Sequence, residues 1–322
     1  MKAVLFTQYG SPEVLKIGNL EKPTPKENEV LIKVHAGVVT PSDTAFRMGK
    51  PFIIKLIYGL KKPRNPKQGV EFAGKIEAVG ANVSKFRVGD DVFGMSPDKF
   101  GAHAEYMTLP ETGVIAKKSP HISYADMVGI CDGAATAMWF LRNVGKIQRG
   151  QKVLINGASG AVGAYGVQIA KHFGAEVTAV CSTRNVELVK SLGADKVIDY
   201  TKTDFTRTGD QYDLIFDAVG KSTFGKCKRA LKRNGVYMNT VPSLKLVGAI
   251  LRTAFLGGKK AKFTTAGLKQ NSATMDYLTE LTEQGVLKAV IDRCYPLDEI
   301  VEAHRYVDTG RKRGNAVITV SA

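Results

Sequence analysis

The sequence predicts a mixed α/β chain in two parts, a β-rich domain and a doubly wound parallel sheet, and three observations carry that prediction. First, 322 residues are roughly twice the usual domain length of about 100–200. Second, the N-terminal third reads as short strands separated by Pro and Gly turns. Third, from Gln151 onward short apolar strands alternate with helical segments, an order that builds a parallel sheet with helices on both faces. The expected domains are residues 1–122 with 295–322, β-rich, and residues 123–294, the parallel sheet.

In the first part, residues 2–7 and 29–35 are expected strands, the second alternating through Val30, Ile32 and Val34. Residues 22–26, Lys-Pro-Thr-Pro-Lys, form a proline-punctuated connection. Residues 69–80 hold another strand, 88–94 a turn entering a strand, and 105–110 a further strand. The texture turns helical over 124–143, rich in Ala and Met with apolar residues at three- to four-residue spacing. The second part then places strands at 152–156, 176–181, 196–200, 213–217 and 236–239. Helices at 161–173, 185–192 and 223–232 lie between them. A helix at 272–284, a strand at 290–293 and a helix at 297–309 follow. The last strand, 315–320, is expected to return to the first domain.

Hydrophobic residues at 44% and charged residues at 24% are ordinary globular values, which excludes collagen, coiled coil and low-complexity protein. No apolar run approaches the ~20 residues that span a bilayer. The first residues, Met1 to Phe6, lack the apolar core and cleavage site of a secretory signal. A soluble, cytoplasmic protein is therefore expected. The four cysteines, Cys131, Cys181, Cys227 and Cys294, are spaced too widely for a disulfide framework or a Cys-x-x-Cys zinc site. The formal charge of +16 comes from 46 Lys and Arg against 30 Asp and Glu. Twelve of the basic residues fall between Lys221 and Met275, where no Asp or Glu occurs. Such charge is a footprint of nucleic-acid binding, yet no recognition helix, RNA-binding sheet motif or zinc finger is found. A solvated basic face that also attracts an anionic small molecule accounts for it, and a nucleic-acid partner is not expected.

The strongest local signal is Val153-Leu-Ile-Asn-Gly-Ala-Ser-Gly-Ala-Val-Gly163, running directly into a helix. A strand, a tight glycine turn and a helix N-terminus make an anion site, because unpaired amides and the helix dipole face a bound pyrophosphate. Aligned with G-x-G-x-x-G, the loop reads Ala158-Ser159-Gly160-Ala161-Val162-Gly163, with Gly157 just ahead. A dinucleotide is the expected cofactor. At the end of the next strand an NAD-preferring site places Asp or Glu for the ribose 2′-hydroxyl. Here residues 180–185 read Val-Cys-Ser-Thr-Arg-Asn, with no acid between Val177 and Val186. Ser182, Thr183 and Arg184 can donate to a 2′-phosphate, Arg184 with charge assistance. NADPH is the expected cofactor.

The whole layout resembles the medium-chain dehydrogenase/reductase superfamily. The resemblance covers essentially the full chain and is carried by Met1-Lys-Ala-Val4, Gly69-Val-Glu-Phe-Ala-Gly-Lys-Ile76, Val88-Gly-Asp-Asp-Val-Phe-Gly94, the Gly157–Gly163 loop, Gly193-Ala-Asp-Lys-Val-Ile-Asp-Tyr200 and residues 213–220. It implies a GroES-like catalytic domain joined to a Rossmann domain. Zinc-dependent members place a Cys ligand in the loop after the second strand and a His in a Gly-His-Glu motif. Here that loop, residues 38–43, has no Cys, Val70 stands at the His position, and the four-Cys lobe is absent. None of His35, His103, His121, His172 and His304 has a ligand partner in the sequence. No metal is expected, and the chain looks like the zinc-free quinone oxidoreductase branch, whose members reduce quinones or conjugated enones with NADPH.

The resemblance also implies site residues. The nicotinamide would lie between the domains near Thr40–Asp43, with Thr40, Asp43 and Tyr58 as catalytic candidates. Asp43 either acts there or caps a turn, and Tyr58 either donates to a substrate oxygen or packs. Thr136, Tyr200, Ala218, Val219, Gly220, Thr240, Val241 and Asn315 join the loop residues and 182–184 as implied cofactor contacts. Two apolar stretches with basic flanks, residues 51–62 and 244–256, line a pocket, form a dimer interface, or touch an anionic membrane that delivers lipophilic substrate. A homodimer is implied by the resemblance alone. The competing expectation is a non-catalytic NADPH-binding sensor or interaction protein, because the same loop serves both.

Overall fold

A computed structural model describes residues 1–255 and 257–320; Leu256, at the end of the second apolar stretch, and Ser321 and Ala322 lie outside the described residues. Along the chain the elements are β1 (Lys2–Leu5), β2 (Lys16–Asn19), β3 (Glu29–Val39), α1 (Pro41–Met48), α2 (Ile53–Tyr58), β4 (Glu71–Val79), β5 (Asp91–Met95), β6 (Tyr106–Pro110), β7 (Val114–Lys117) and α3 (Tyr124–Met138). Then come β8 (Lys152–Asn156), α4 (Ala161–His172), β9 (Glu176–Cys181), α5 (Val186–Ser191), β10 (Lys196–Asp199), β11 (Tyr212–Asp217), α6 (Phe224–Cys227), β12 (Leu231–Asn239), α7 (Leu244–Ala254) and β13 (Lys260–Lys262). The chain closes with α8 (Ser272–Glu283), β14 (Ile291–Pro296), α9 (Ile300–Asp308) and β15 (Asn315–Thr319).

Two compact units result. The first comprises Met1–Asp132, Gln270–Glu283 and the segment from Lys288 onward; the second comprises Gly133–Lys269 with Gln284–Leu287. The first unit holds a seven-stranded sheet in the order β14-β15-β3-β4-β5-β7, with β6 on β3, and a separate β1-β2 pair. β15 returns antiparallel to β3, pairing Ala316 with Val39, as expected. β3 is longer than its alternating stretch, because residues 36–39 continue it as the partner of β15 and are themselves buried; two register shifts against β4, after Leu31 and after Val34, interrupt its ladder. The core behind it is Val30, Ile32, Phe72, Ile76, Val92 and Ile115, each at most 1% exposed; burying one such side chain is worth about 1.5–3 kcal/mol. α9 turns Ile300, Ala303, His304 and Val307 inward at helical spacing, against Val4, Phe6 and Ile318. The first unit also takes α8 and β14, which the sequence reading grouped with the parallel sheet. Thr279 Oγ1 donates to the Lys117 carbonyl at 3.2 Å, and Met275 Sδ lies 3.7 Å from Cys131 Sγ.

The second unit is a six-stranded sheet in the order β10-β9-β8-β11-β12-β13, parallel throughout. Its core runs through Leu154, Val180, Ile215, Tyr237 and Leu246. The helix expected over 223–232 is only α6, because Leu231 is buried and pairs with Tyr212, starting β12 there. A register shift then carries the exposed Arg233 and Asn234 out of the ladder before pairing resumes at Val236. The helix expected over 124–143 continues past α3 as a widened turn, Trp139–Val144, with the Gly145 amide reaching back to the Phe140 carbonyl at 2.7 Å. Cys131, Cys181 and Cys227 are buried free thiols and Cys294 an exposed one.

Candidate functional site

In the second unit, four adjacent strands, β9, β8, β11 and β12, end at one sheet edge, and the loops that follow them carry the expected cofactor residues. In a parallel sheet this carboxyl edge is where ligands bind. After β8, Gly157 takes a left-handed φ of +79°, a backbone state open to glycine. Gly163 has no room for a side chain: a Cβ there would lie 2.1 Å from the Gly157 carbonyl oxygen. The sequence alignment gave the turn position to Ala158, whereas the structure gives it to Gly157. Ala158 is fully buried, and its amide, like that of Gly157, donates to the Val180 carbonyl at 3.0 Å. Gly160 caps α4 without a side-chain hydrogen bond. The first-turn amides of Ala161, Val162 and Gly163 therefore have no acceptor within the helix, and they present a positive end toward an anion.

The adenosine end differs from the sequence expectation. Ser182 is half-buried and leads into a turn, Thr183–Asn185, on which Arg184 is exposed. Thr183 Oγ1 donates to Asp199 Oδ2 at 2.5 Å, and Thr201 donates to Asp199 Oδ1 through its amide at 3.0 Å and its hydroxyl at 2.7 Å. The hydroxyls of Thr183 and Thr201 hold the Asp199 carboxyl below the usual carboxylate range. Thr183 is thus turned to a carboxylate rather than outward as expected. An acid does stand at this end after all. Asp199 pairs in register with Cys181, so the neighbouring strand delivers it, and no window on β9 contains it. Tyr200, next along, is 61% exposed.

The other two loops are buttressed from below. Asp217, fully buried at the end of β11, accepts from Asn156 Nδ2 at 2.9 Å, from the Ser222 amide at 2.7 Å and from the Tyr237 hydroxyl at 3.1 Å. That fixes Ala218-Val219-Gly220, where Gly220 has φ +65° and Val219 is partly exposed. Asn239 Oδ1 accepts from the Val241 amide at 2.7 Å, and the Thr240 amide donates to the Asp217 carbonyl at 3.2 Å. A pocket of about 210 Å³ opens beside these loops, lined by Ser222, Thr223, Asn239, Ser243 and Lys245 among others. Gly133 of α3 lets that helix meet α4, since a Cβ there would lie 2.7 Å from the Ala161 carbonyl oxygen. Thr136 follows one turn later, 8% exposed.

In the first unit, Thr40 and Asp43 form a complete capping box at the start of α1. Thr40 Oγ1 accepts from the Asp43 amide at 3.2 Å, while the Thr40 amide and hydroxyl donate to Asp43 Oδ2 at 2.8 and 2.6 Å. Asp43 is fully buried; of its two expected roles, the geometry shows turn capping. The Tyr58 ring packs edge-on to Phe46 and Phe100, with centroids at 4.9 and 5.7 Å. Burial, with Asp98 nearby, raises its pKa. Asn315 is 3% exposed, and its amide donates to the carbonyls of Gly129 at 2.7 Å and Val290 at 3.3 Å. It clamps β15 to α3 inside the first unit instead of facing an open edge.

Sequence reasoning missed a buried ionisable group beside Val70. Glu71 accepts from the Asp132 amide at 3.0 Å; burial, then the Asp132 charge, pushes its carboxyl well above the usual range. Burial lowers the Lys312 ammonium to about 8, against the pull of Glu71 and Asp292. His103 and His304 also meet inside, with ring centroids 6.4 Å apart. Among the described residues no three His, Cys, Asp or Glu side chains are placed to hold a metal ion.

Comparison with known proteins agrees with this arrangement. Residues 26–119 match the alcohol dehydrogenase GroES-like domain family, and residues 192–318 match a family described as zinc-binding dehydrogenase. The chain is 34% identical over 330 residues to a 2-methylene-furan-3-one reductase of Solanum lycopersicum, spanning 99% of this chain and 79% of that protein. It is 32% identical, with the same coverage, to a chloroplastic NADPH-dependent alkenal/one oxidoreductase of Arabidopsis thaliana. The solved quinone oxidoreductase of Coxiella burnetii superposes with a TM-score of 0.89 at 29% identity, covering 100% of this chain and 99% of that one. Thr40, directly after β3, caps α1, and Val70 precedes Glu71 at the start of β4. The chain belongs to the medium-chain dehydrogenase/reductase superfamily, in its zinc-free quinone oxidoreductase branch.

Proposed function

We infer that the protein is an NADPH-dependent oxidoreductase that reduces a quinone or the carbon–carbon double bond of an α,β-unsaturated carbonyl without a catalytic zinc. The carrying observation is the cradle at Gly157–Gly163, where a side chain at residue 163 would collide with the backbone of Gly157 and Ala158 and push the glycine turn away from the start of α4. The named activities of the relatives support the same reading. Ser159, Gly160 and the amides of 161–163 would hold the pyrophosphate, Ser182 and Arg184 the 2′-phosphate, with Tyr200, 218–220, 240–241 and Thr136 around the rest. Bound NADPH supplies the hydride. Negative charge then develops on the substrate oxygen and is delocalised, so positioning and one good donor suffice. Thr40 and Asp43 fix the turn, and the Tyr58 hydroxyl, kept protonated by its raised pKa, is the proposed donor. The test is a panel of quinones and enones with NADPH and NADH side by side. Oxidation of NADPH dependent on one of these acceptors is expected; tight binding without turnover on any of them would overturn the reading.

Homodimerisation is proposed through the second unit, whose sheet ends in the three-residue edge strand β13. Contact with an anionic membrane is proposed through α7, where Leu244 and Phe255 are each 91% exposed and Val247 and Leu251 extend the same stripe beside Lys245 and Arg252. α2 shows a comparable apolar face at Ile53, Leu56 and Ile57. Among the described residues no helix is long and apolar enough to cross a membrane, and a cytoplasmic location is proposed with peripheral attachment. Flotation with anionic vesicles at low salt is expected; no recovery would end the membrane proposal.

A further inference from the structure

The turn that follows β9 divides its polar side chains in a way the sequence does not display. Thr183 points its proton at Asp199, Arg184 is exposed, and Asn185 goes inside at 4% exposure. Its Nδ2 donates to Ser159 Oγ at 2.8 Å and to Ser182 Oγ at 3.2 Å. Ser159 belongs to the glycine loop and Ser182 to the adenosine end, 23 positions apart in the chain (182 − 159). One buried carboxamide therefore joins the two loops that the functional reading assigns to the two phosphate groups of the cofactor.

An amide nitrogen only donates, and a serine hydroxyl that accepts at its oxygen keeps its own proton for another acceptor. Both serines are half-buried, so neither side chain is sealed from the sheet edge. The opposite orientation of the amide would leave two buried N–H groups without acceptors; as placed, only the Asn185 Oδ1 oxygen lacks a protein partner, the lesser penalty. The turn itself is braced by the Asn185 amide, which donates to the Ser182 carbonyl at 2.9 Å. Asn185 is neutral, so it orders these donors without competing for the charge that Arg184 supplies.

We propose that Asn185 is a positioning residue for the cofactor: it turns the hydroxyls of Ser159 and Ser182 outward as a preset donor pair, coupling the pyrophosphate loop to the 2′-phosphate end. The proposal rests on NADPH binding at this sheet edge. Its test is a mutant cycle read by NADPH titration, with kinetics and thermal unfolding alongside. Asn185→Ala is expected to weaken NADPH binding about tenfold, the scale of one hydrogen bond to a charged group, raising KM for NADPH with little change in kcat. In a Ser159→Ala/Ser182→Ala background the same substitution is expected to weaken binding less than about twofold, because the hydroxyls through which it acts are gone. Asn185→Ser is run in parallel should the alanine variant not fold. Equal losses in the two backgrounds, or no loss in the unaltered one, would overturn the proposal while leaving the functional reading intact. Failure of the unaltered protein to bind NADPH would overturn both.

Discussion

Replacing Gly163 by alanine would put a methyl carbon 2.1 Å from the Gly157 carbonyl oxygen and 2.9 Å from the Ala158 Cα. Both neighbours are backbone, in a turn whose Gly157 is already at φ +79°, so neither can swing aside as a side chain would. Overpacking of this kind costs about 1–3 kcal/mol, and relief requires moving the loop that would hold the pyrophosphate. If half of that cost falls on the bound geometry, NADPH affinity drops roughly twofold to twelvefold, at about 1.4 kcal/mol per tenfold. Gly166, one turn on in the same helix, is the control. A Cβ there meets only Ile155 and Phe216 side-chain atoms at 3.5 Å or beyond, ordinary contact, and Gly→Ala in a helix interior gains up to about 1 kcal/mol. Gly163→Ala should therefore lower both the melting temperature and NADPH affinity, while Gly166→Ala should hold or raise the first and spare the second. Fluorescence titration and thermal unfolding of the two variants read this directly. Equal behaviour of the pair would refute the claim that close backbone approach, and not glycine content, makes the site.

Three further outcomes follow from the same geometry. Arg184→Ala should reduce the preference for NADPH over NADH about tenfold, measured as the ratio of kcat/KM values; an unchanged ratio would remove Arg184 from the 2′-phosphate site. Asp199→Asn removes a carboxylate held ionised by Thr183 and Thr201, so the same ratio should rise several-fold, and a fall would show that Asp199 organises the site instead of opposing the phosphate. Glu71→Gln tests the buried carboxyl: its folded pKa lies well above the unfolded value, so the unfolded chain releases its proton first. Stability should fall as pH rises from the usual carboxylate range to that raised pKa, and the glutamine variant, which can still accept from the Asp132 amide, should flatten this fall in thermal melts taken across the window.

How much the sequence disclosed depended on whether a feature was local. The β8 and β9 strands and the start of α4 were legible because each is a short apolar run next to its own glycine turn. α7 was visible only as an apolar stretch, since its exposed Leu244, Val247, Leu251 and Phe255 do not follow the inward stripe of an ordinary surface helix. The 223–232 helix was overextended because Leu231 is claimed by pairing with Tyr212, a partner 19 residues away (231 − 212). Propensity does not register such a tertiary demand. For Asp43 the sequence leaves turn capping and chemistry equally open; the structure adds a capping box with Thr40, whose reciprocal hydrogen bonds depend on the turn that only the fold displays.

The adenosine end shows why a rule of position is weaker than a rule of register. The expectation of NADPH came from finding no acid within a window on β9. In a parallel sheet, however, the residue facing the end of one strand can come from the next, and here Asp199 of β10 is in register with Cys181. What protects the 2′-phosphate reading is not the absence of a carboxylate but where its hydrogen bonds go. Both oxygens of Asp199 accept from Thr183 and Thr201, which holds the carboxylate against the loop. Arg184 is exposed and Ser182 half-buried, with Asn185 buried behind them. If the proposed site is right, Arg184 in the turn after β9 favours the 2′-phosphate and Asp199 at the end of β10 opposes it, and the Arg184 and Asp199 variants should move the preference in opposite directions.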